Sequence, residues 1–422
     1  MNSPATNAPF IAIACGGTGG HLFPGLAVAE QLQQRGAHVA LLISPKDVDQ
    51  QAVKNAGGLE VITLPAVALQ RGSRLTFLSG FWNSWRAARK IFKARRPQAV
   101  LAMGGFTSAP PVLAARSLGA KTFLHESNTI PGRANRWLAR LVDQAFIGFP
   151  QAAESLRVRE ATVTGTPVRA GFRGISTPPN PRDPLILVMG GSQGASGVND
   201  LILATLPLIA KRAPHWRWMH LTGPNDADKV KAAYAKHEIH AEVHPFLADM
   251  SSAMMSATAA VSRAGASSLA EIAAVRLPAL LIPLPAAADD HQHFNARAFE
   301  ETGAARALAQ KVATPEKVYE LLHALVEDME TRRKMQLALE KWDAPAAAEQ
   351  IADAILRAVG ERANQPTEKN FRVVAADVRR RIGRTIQRDP SASSRRRLLG
   401  FGIWDLVFGV SFGFGVGSFW NA

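Results

Sequence analysis

The sequence predicts an α/β protein of two doubly wound domains facing across a cleft, followed by a C-terminal extension. Three observations lead there. Short apolar runs alternate with helical patterns, as parallel strands and crossover helices do. The alternation halts at a proline-rich passage and restarts beyond it. Each series opens on a glycine-rich turn between a strand and a helix. The 422 residues, 47% hydrophobic, also exceed what one core needs, so two bodies of roughly 150–200 residues are the default.

In the first series, residues 10–15, 38–43, 99–103 and 122–124 are short apolar runs and read as strands. Residues 24–34 and 109–117 carry the helical pattern between them. The passage 171–184 is poor in strand formers and holds Pro178, Pro179, Pro181 and Pro184, which marks a linker. The second series has strands at 185–189, 216–221, 257–261 and 279–282, with a helix at 198–210. Helical patterns at 315–327 and 345–359 close the body. The expected organisation is therefore two Rossmann-like domains, 1–170 and 185–344, a closing helix at 345–362 and a tail at 363–422.

That tail places Arg379, Arg380, Arg381, Arg384, Arg395, Arg396 and Arg397 before a glycine-rich apolar stretch, 398–420, broken only by Asp405. The stretch has the length to span a bilayer, but its glycine and phenylalanine content weighs against a regular helix. A membrane anchor, a segment on the membrane surface and a mere appendage or frameshifted end all stay open.

A net charge of +15 and a pI near 10.5 call for an anionic partner: nucleic acid, an acidic membrane surface or a phosphorylated substrate. The charge is localised. Between Glu60 and Glu126 there is no acidic residue, while Arg71, Arg74, Arg86, Arg89, Lys90, Lys93, Arg95 and Arg96 fall there. Leu75, Phe77, Leu78, Phe81, Trp82 and Trp85 are interleaved with them. Such a segment suits an anionic membrane surface, although Trp85, Ala88, Arg89 and Phe92 also keep the spacing of a helix with a core-facing side. Lone Cys15 excludes an internal disulfide framework and suits a reducing compartment. The short, uncharged N-terminus lacks the basic start of a signal peptide, so secretion is not expected.

The motifs share one chemistry. Gly16-Gly17-Thr18-Gly19-Gly20-His21 follows a strand and precedes a helix, where close-approaching amides and a helix N-terminus can hold a diphosphate. Its spacing is not that of a dinucleotide fingerprint, and the acidic ribose partner is missing. His21 could take a proton from an attacking hydroxyl, or only donate to phosphate or cap the helix. Met103-Gly104-Gly105-Phe106-Thr107 is a second such turn, expected beside the first at the carboxyl ends of the strands. His125-Glu126-Ser127-Asn128 adds polar groups at that edge, for catalysis or as a structural network.

In the second series, Gly190-Gly191-Ser192-Gln193-Gly194 repeats the phosphate logic. Arg263, within 262–268, could meet phosphate, and Glu271 could accept from a ribose diol; a solvated pair is the plainer alternative. Gln292 and Asn295, three apart in a helix, share a face and suit recognition of a hydroxyl-rich ligand. The neighbouring Asp289, Asp290, His291 and His293 invite a metal, but no further ligand cluster accompanies them, so no metal site is expected.

Taken in order, 16–25, 103–105, 125–128, Thr166-Pro167-Val168-Arg169, 190–195, 262–271 and 292–296 closely resemble the peptidoglycan N-acetylglucosaminyltransferase family, over roughly residues 10–360. That family adds the second sugar to undecaprenyl-pyrophosphoryl-N-acetylmuramoyl-pentapeptide. The resemblance implies the B-type glycosyltransferase fold, UDP-N-acetylglucosamine as donor substrate, inversion at the anomeric carbon and no required cofactor or metal. It implies a lipid-linked diphosphate acceptor bound by the first domain, the UDP-sugar bound by the second, and work at the cytoplasmic face of the inner membrane, potentially beside other cell-wall synthesis proteins. By position it implies His21 as the base, Glu126 as a second catalytic residue, and Thr18, Gly19, Gly20, Gly104, Gly105 and Asn128 as binding residues of the first domain. Arg169, Ser192, Gln193, Arg263, Glu271 and Gln292 fall at donor positions, and Leu247 at one whose backbone faces uracil. Phe106 stands where a tyrosine is common and His291 where some members carry glutamine, which puts the sugar contacts there in doubt. Rival readings are a transferase for another lipid acceptor such as diacylglycerol, and a non-catalytic, nucleotide-regulated membrane-binding protein. A nucleic-acid binder would explain the charge but not the paired glycine turns.

Overall fold

The computed structural model describes residues 8–16, 19–45, 58–65, 74–105, 107–173, 183–191, 194–285 and 288–363. Thr18, Phe106, Ser192, Gln193 and the tail from residue 364 lie outside the described residues, as does most of the linker.

The first sheet contains β1 (Phe10–Ala14), β2 (His38–Ile43), β3 (Glu60–Thr63), β4 (Ala99–Ala102), β5 (Lys121–Glu126), β6 (Gln144–Ile147) and β7 (Ala161–Val163). They run parallel in the order β3-β2-β1-β4-β5-β6-β7. β1 and β4 are buried along their whole length, which is why they read as unbroken apolar runs rather than alternations. Strand order reverses between β1 and β4, so the chain leaves these neighbours toward opposite faces and a crevice opens at their carboxyl ends.

The second sheet repeats the plan with β8 (Leu185–Met189), β9 (Arg217–Leu221), β10 (Ala241–His244), β11 (Ala259–Ser262), β12 (Ala279–Leu281) and β13 (Arg306–Ala307). Its order is β10-β9-β8-β11-β12-β13, so its crevice lies between β8 and β11. Not anticipated from the sequence were β3, β6, β7, β10 and β13. They are two to four residues long, and β3 and β7 are edge strands left largely exposed, so they lack the apolar run that betrays a central strand.

The helices that matter for the site are α1 (Gly19–Gln34), α2 (Arg74–Ala94), α3 (Ala109–Ser117), α4 (Arg133–Leu138) and α5 (Ala152–Ser155) in the first domain. The second has α6 (Ser196–Arg212), α7 (Ala227–Lys236), α8 (Met250–Ser256), α9 (Ala266–Ala274), α10 (His291–Glu301), α11 (Pro315–Glu327) and α12 (Met329–Glu340), and α13 (Ala347–Ala363) follows. α1 begins five residues before the expected position 24, because Pro24 falls inside the helix instead of opening it. His21 therefore belongs to the first helical turn and not to the end of a loop.

Phe149, just past β6, packs at a tilt against Phe299 of α10 and Trp342, at centroid distances of 6.1 and 5.2 Å. This aromatic cluster seals the two sheets' domains together on the side of β6. Arg35, after α1, pairs with Asp353 of α13 at 2.6 Å, so the closing helix returns to the first domain. Gly165 permits that return: at φ +78°, a Cβ there would lie 2.2 Å from the Cβ of Ala344. Among the described residues no helix is long and apolar enough to cross a membrane.

Candidate active site

The two first-domain glycine turns lie side by side. Thr107 Oγ1 donates to the Gly16 carbonyl at 2.6 Å, and Ser108 Oγ donates to the carbonyls of Ala14 and Gly104. The His21 ring packs against the second turn. A Cβ on Gly104 would come within 2.8 Å of His21 Cε1, and one on Gly105 within 3.2 Å of His21 Cδ2. Both glycines have positive φ, +108° and +78°. Glycine is thus required there twice over, for backbone conformation and for room.

A missing hydrogen bond links this turn to the second domain. Pro24 has no N–H to give to the Gly20 carbonyl four residues earlier. That carbonyl instead accepts from Ser267 Oγ of α9 at 2.7 Å. The loop that follows β1 therefore faces the loop that follows β11, and the two crevices become one cleft.

Glu126 ends β5 and is 1% exposed. Its Oε1 accepts from Asn128 N and Nδ2 (2.9 and 3.0 Å), and its Oε2 from Gly132 N and Asn135 Nδ2 (3.0 and 2.7 Å). Four donors, three from its own loop and one from α4, occupy the carboxylate, so the geometry makes it an organiser of residues 126–135. Beside it His125 is buried between the Gly165 carbonyl (3.1 Å) and Ser127 Oγ (3.1 Å). Burial pushes its pKa down to about 4, against the raising effect of the Gly165 carbonyl, so the ring is neutral at ordinary pH.

On the second domain Arg263 is 6% exposed, and its Nη1 donates to the carbonyls of Ile282 and Pro283 at 3.0 and 3.1 Å. Burial lowers its pKa below the ordinary value. Part of this guanidinium holds the loop after β12. Gln292 Oε1 accepts from Ala264 N (3.3 Å) and Leu284 N (3.0 Å), tying the start of α10 to the loops after β11 and β12. Asn295 differs from the expectation. It is fully buried and bonded to Thr129, Asn128 and Ala264, so it does not reach a ligand with Gln292.

Arg169 lies over Phe23 of α1 and Phe172, at 4.3 and 5.2 Å, with its Nη2 3.8 Å from Glu271 Oε1. Desolvation drives the Glu271 pKa up to about 7, with Arg169 acting in the opposite direction. Leu247 follows β10 and is partly buried against the second core, beside Phe246, which is 60% exposed. In the turn after β8, a Cβ on Gly194 would meet the Thr222 carbonyl at 2.3 Å, so that glycine allows β8 and β9 to deliver their loops side by side. Asp289 pairs across the cleft with Arg133 and Arg136 at 3.1 and 2.8 Å, contacts the sequence reading did not foresee. In sequence Asp289 and Asp290 suggest metal ligands, and nothing in their spacing marks Arg133 and Arg136 as partners 153 to 156 residues away. Among the described residues no group of three or more histidine, cysteine or acidic side chains gathers at one point.

Residues 11–147 match the glycosyltransferase family 28 N-terminal domain, and residues 185–355 match the family's C-terminal domain. A protein of Acidithiobacillus ferrooxidans named UDP-N-acetylglucosamine--N-acetylmuramyl-(pentapeptide) pyrophosphoryl-undecaprenol N-acetylglucosamine transferase is 38% identical over 363 residues, covering 84% of this chain and 99% of its own length. The chain belongs to glycosyltransferase family 28. A family 28 relative of the same name from Pelobacter propionicus is 37% identical over 374 residues, 82% of this chain and 98% of that protein. The crystal structure of Acinetobacter baumannii MurG aligns with a TM-score of 0.66 at 28% identity, covering 83% of this chain and 99% of that one. A UDP-N-acetylglucosamine 2-epimerase aligns at 0.61 with 15% identity and shares the fold alone. The family 28 cleft thus lies between the two halves of a B-type glycosyltransferase fold, the architecture expected from the paired series of strands and helices.

Proposed function

We propose that this chain transfers N-acetylglucosamine from UDP-N-acetylglucosamine to the N-acetylmuramyl sugar of a pentapeptide carried on pyrophosphoryl-undecaprenol. The observation that carries the reading is the His21 ring, set on the Gly104–Gly105 backbone where the loops of both sheets meet. An imidazole there reaches a group held by first-domain amides while facing a sugar held by the second domain. The acceptor hydroxyl attacks the anomeric carbon, its proton passes to His21, and the bond to UDP breaks on the opposite face with inversion. Charge develops on the departing diphosphate, which amides of the turn after β8 and the start of α9 stabilise more in the transition state than before it. Glu271 accepts from the ribose, Leu247 offers its backbone to the base, and Glu126 holds Asn128 toward the sugar. The reading needs no resident cofactor, since leaving-group charge falls to backbone and arginine; Asp289, one of the two acids before His291, is already paired with Arg133 and Arg136.

The acceptor's lipid requires a membrane surface, here the cytoplasmic face of the inner membrane, and α2 supplies the contact. Ala88 and Phe92 are fully buried, which makes that side of the helix core as its spacing allowed. The other side presents Leu78 and Trp82, 39% and 54% exposed, then Arg86, Lys90 and Lys93. Trp82 stacks on Trp85 at 4.9 Å, and Arg89 lies over Trp85 at 5.5 Å. An aromatic end for the interface and a cationic end for the headgroups suit reversible docking without a spanning helix.

The deciding experiment is a transfer assay with labelled UDP-N-acetylglucosamine, offering the lipid-linked muramyl acceptor and diacylglycerol in parallel, with and without a chelator. Label moves to the muramyl acceptor alone, at a rate the chelator leaves unchanged. His21→Ala lowers kcat by about a hundredfold or more while UDP binding stays within a few-fold. Near-normal turnover of that variant removes the base, and label on diacylglycerol alone replaces the acceptor.

A further inference from the structure

The buried amide of Asn295 joins the two halves of the cleft. Its Oδ1 accepts from Thr129 N and Thr129 Oγ1 at 3.0 and 2.9 Å. Its Nδ2 donates to Asn128 Oδ1 and to the Ala264 carbonyl, both at 3.1 Å. A backbone N–H can only donate and a carbonyl only accept, so the amide has one permitted orientation, and its two lone pairs and two hydrogens are all in use. Asn128 and Thr129 belong to the loop after β5 in the first domain; Ala264 belongs to the loop after β11 in the second.

Asn128 is gripped from both sides. Its Nδ2 donates to Glu126 Oε1 within its own loop, and its Oδ1 accepts from Asn295 across the cleft. Apolar contacts such as Phe149 on Trp342 hold the domains together without fixing their register. A fully satisfied buried polar network fixes it, because any shift leaves a buried donor or acceptor unpaired.

We propose that Asn295 is a positioning residue for the transfer: from the donor-side domain it sets the orientation of Asn128 and of the 127–129 loop. Acceptor-side and donor-side groups then come into register through one amide. The inference rests on the proposed transfer reaction and deepens it. It predicts that Asn295 matters for turnover, through Asn128, and not for holding the nucleotide.

The test uses the full-length protein, with transfer kinetics and UDP binding measured for Asn295→Ala, Asn128→Ala, their double variant and Thr129→Val. Asn295→Ala lowers kcat by about 10- to 100-fold, as a misplacement of roughly an ångström does, while the Kd for UDP stays within about threefold. In the Asn128→Ala background, removing Asn295 costs less than about threefold more, because the second change acts through the first. Thr129→Val, which deletes only a hydroxyl, lowers kcat by several-fold and supplies the reading should Asn295→Ala fail to fold. Wild-type-like kcat in folded Asn295→Ala or in Thr129→Val, losses that multiply in the double variant, or UDP affinity falling in step with kcat would each overturn the inference. A wild-type protein that binds UDP yet transfers no sugar would overturn the transfer reading itself, and the wild-type control keeps the two failures apart.

Discussion

Glu271 shows how far burial alone can retune a side chain. Its pKa of about 7 comes first from desolvation, with Arg169 pulling the other way from 3.8 Å. A raised carboxyl means that the folded state holds the proton more tightly than the unfolded chain, whose value is near 4.5. Between these values the native state binds more protons, so stability falls as pH rises through this window and levels off above it. Glu271→Gln should abolish that decline, as read from unfolding midpoints across the window. With Glu271 on the ribose as proposed, the carboxylate offers acceptors on both oxygens and holds a diol better than the acid does, so UDP affinity should strengthen as pH passes about 7 in the wild type. In the Gln variant the profile should be flat, with affinity on the order of tenfold weaker at high pH. A wild-type profile that is already flat would remove Glu271 from the nucleotide site.

At the level of elements, α2 carries its own prediction. Replacing Trp82 by Ser together with Arg86 and Lys90 by Glu should release the protein from vesicles containing anionic lipid. The basic residues contribute about 1 kcal/mol each near such a surface. Transfer to a short-chain, water-soluble acceptor should be unchanged, because the altered positions lie on the exposed side of the helix. Loss of both activities together would contradict a docking role. α2 also illustrates what could be read in advance. Its acid-free composition and the spacing of Ala88 and Phe92 were visible in the sequence, and so were the innermost strands β1, β4 and β8, because burial on both faces writes them as apolar runs. The glycine turns were visible because φ near +108° at Gly104 leaves little choice of residue. Short edge strands such as β7 carry no such mark. Long-range pairings like Asn295 with Thr129 were hidden for another reason: they span 166 residues, and only the closing of one domain on the other creates them.

For the molecule as a whole, the contacts that join the domains do different tasks. Phe149, Phe299 and Trp342 supply adhesion, Asn295 and Ser267 supply alignment, and Asp289 with Arg133 and Arg136 closes the rim. The last of these rests on unusual backbone. Asp289 and Asp290 both have left-handed φ, 50° and 53°, immediately before α10. Asp290 makes no side-chain cap to that helix, so Asp290→Gly should stabilise the protein by up to about 1 kcal/mol in denaturant unfolding. Asp289→Gly should give no such gain, since it deletes both arginine partners. A destabilised Asp290→Gly protein would show that its side chain does something no contact reveals. Gln292 and Asn295 ride on the opening turns of this same helix, one tied to the loops after β11 and β12 and the other to the loops after β5 and β11. The bend therefore works as a tiller: it sets the direction in which α10 departs, and with it where the amides of Gln292 and Asn295 stand.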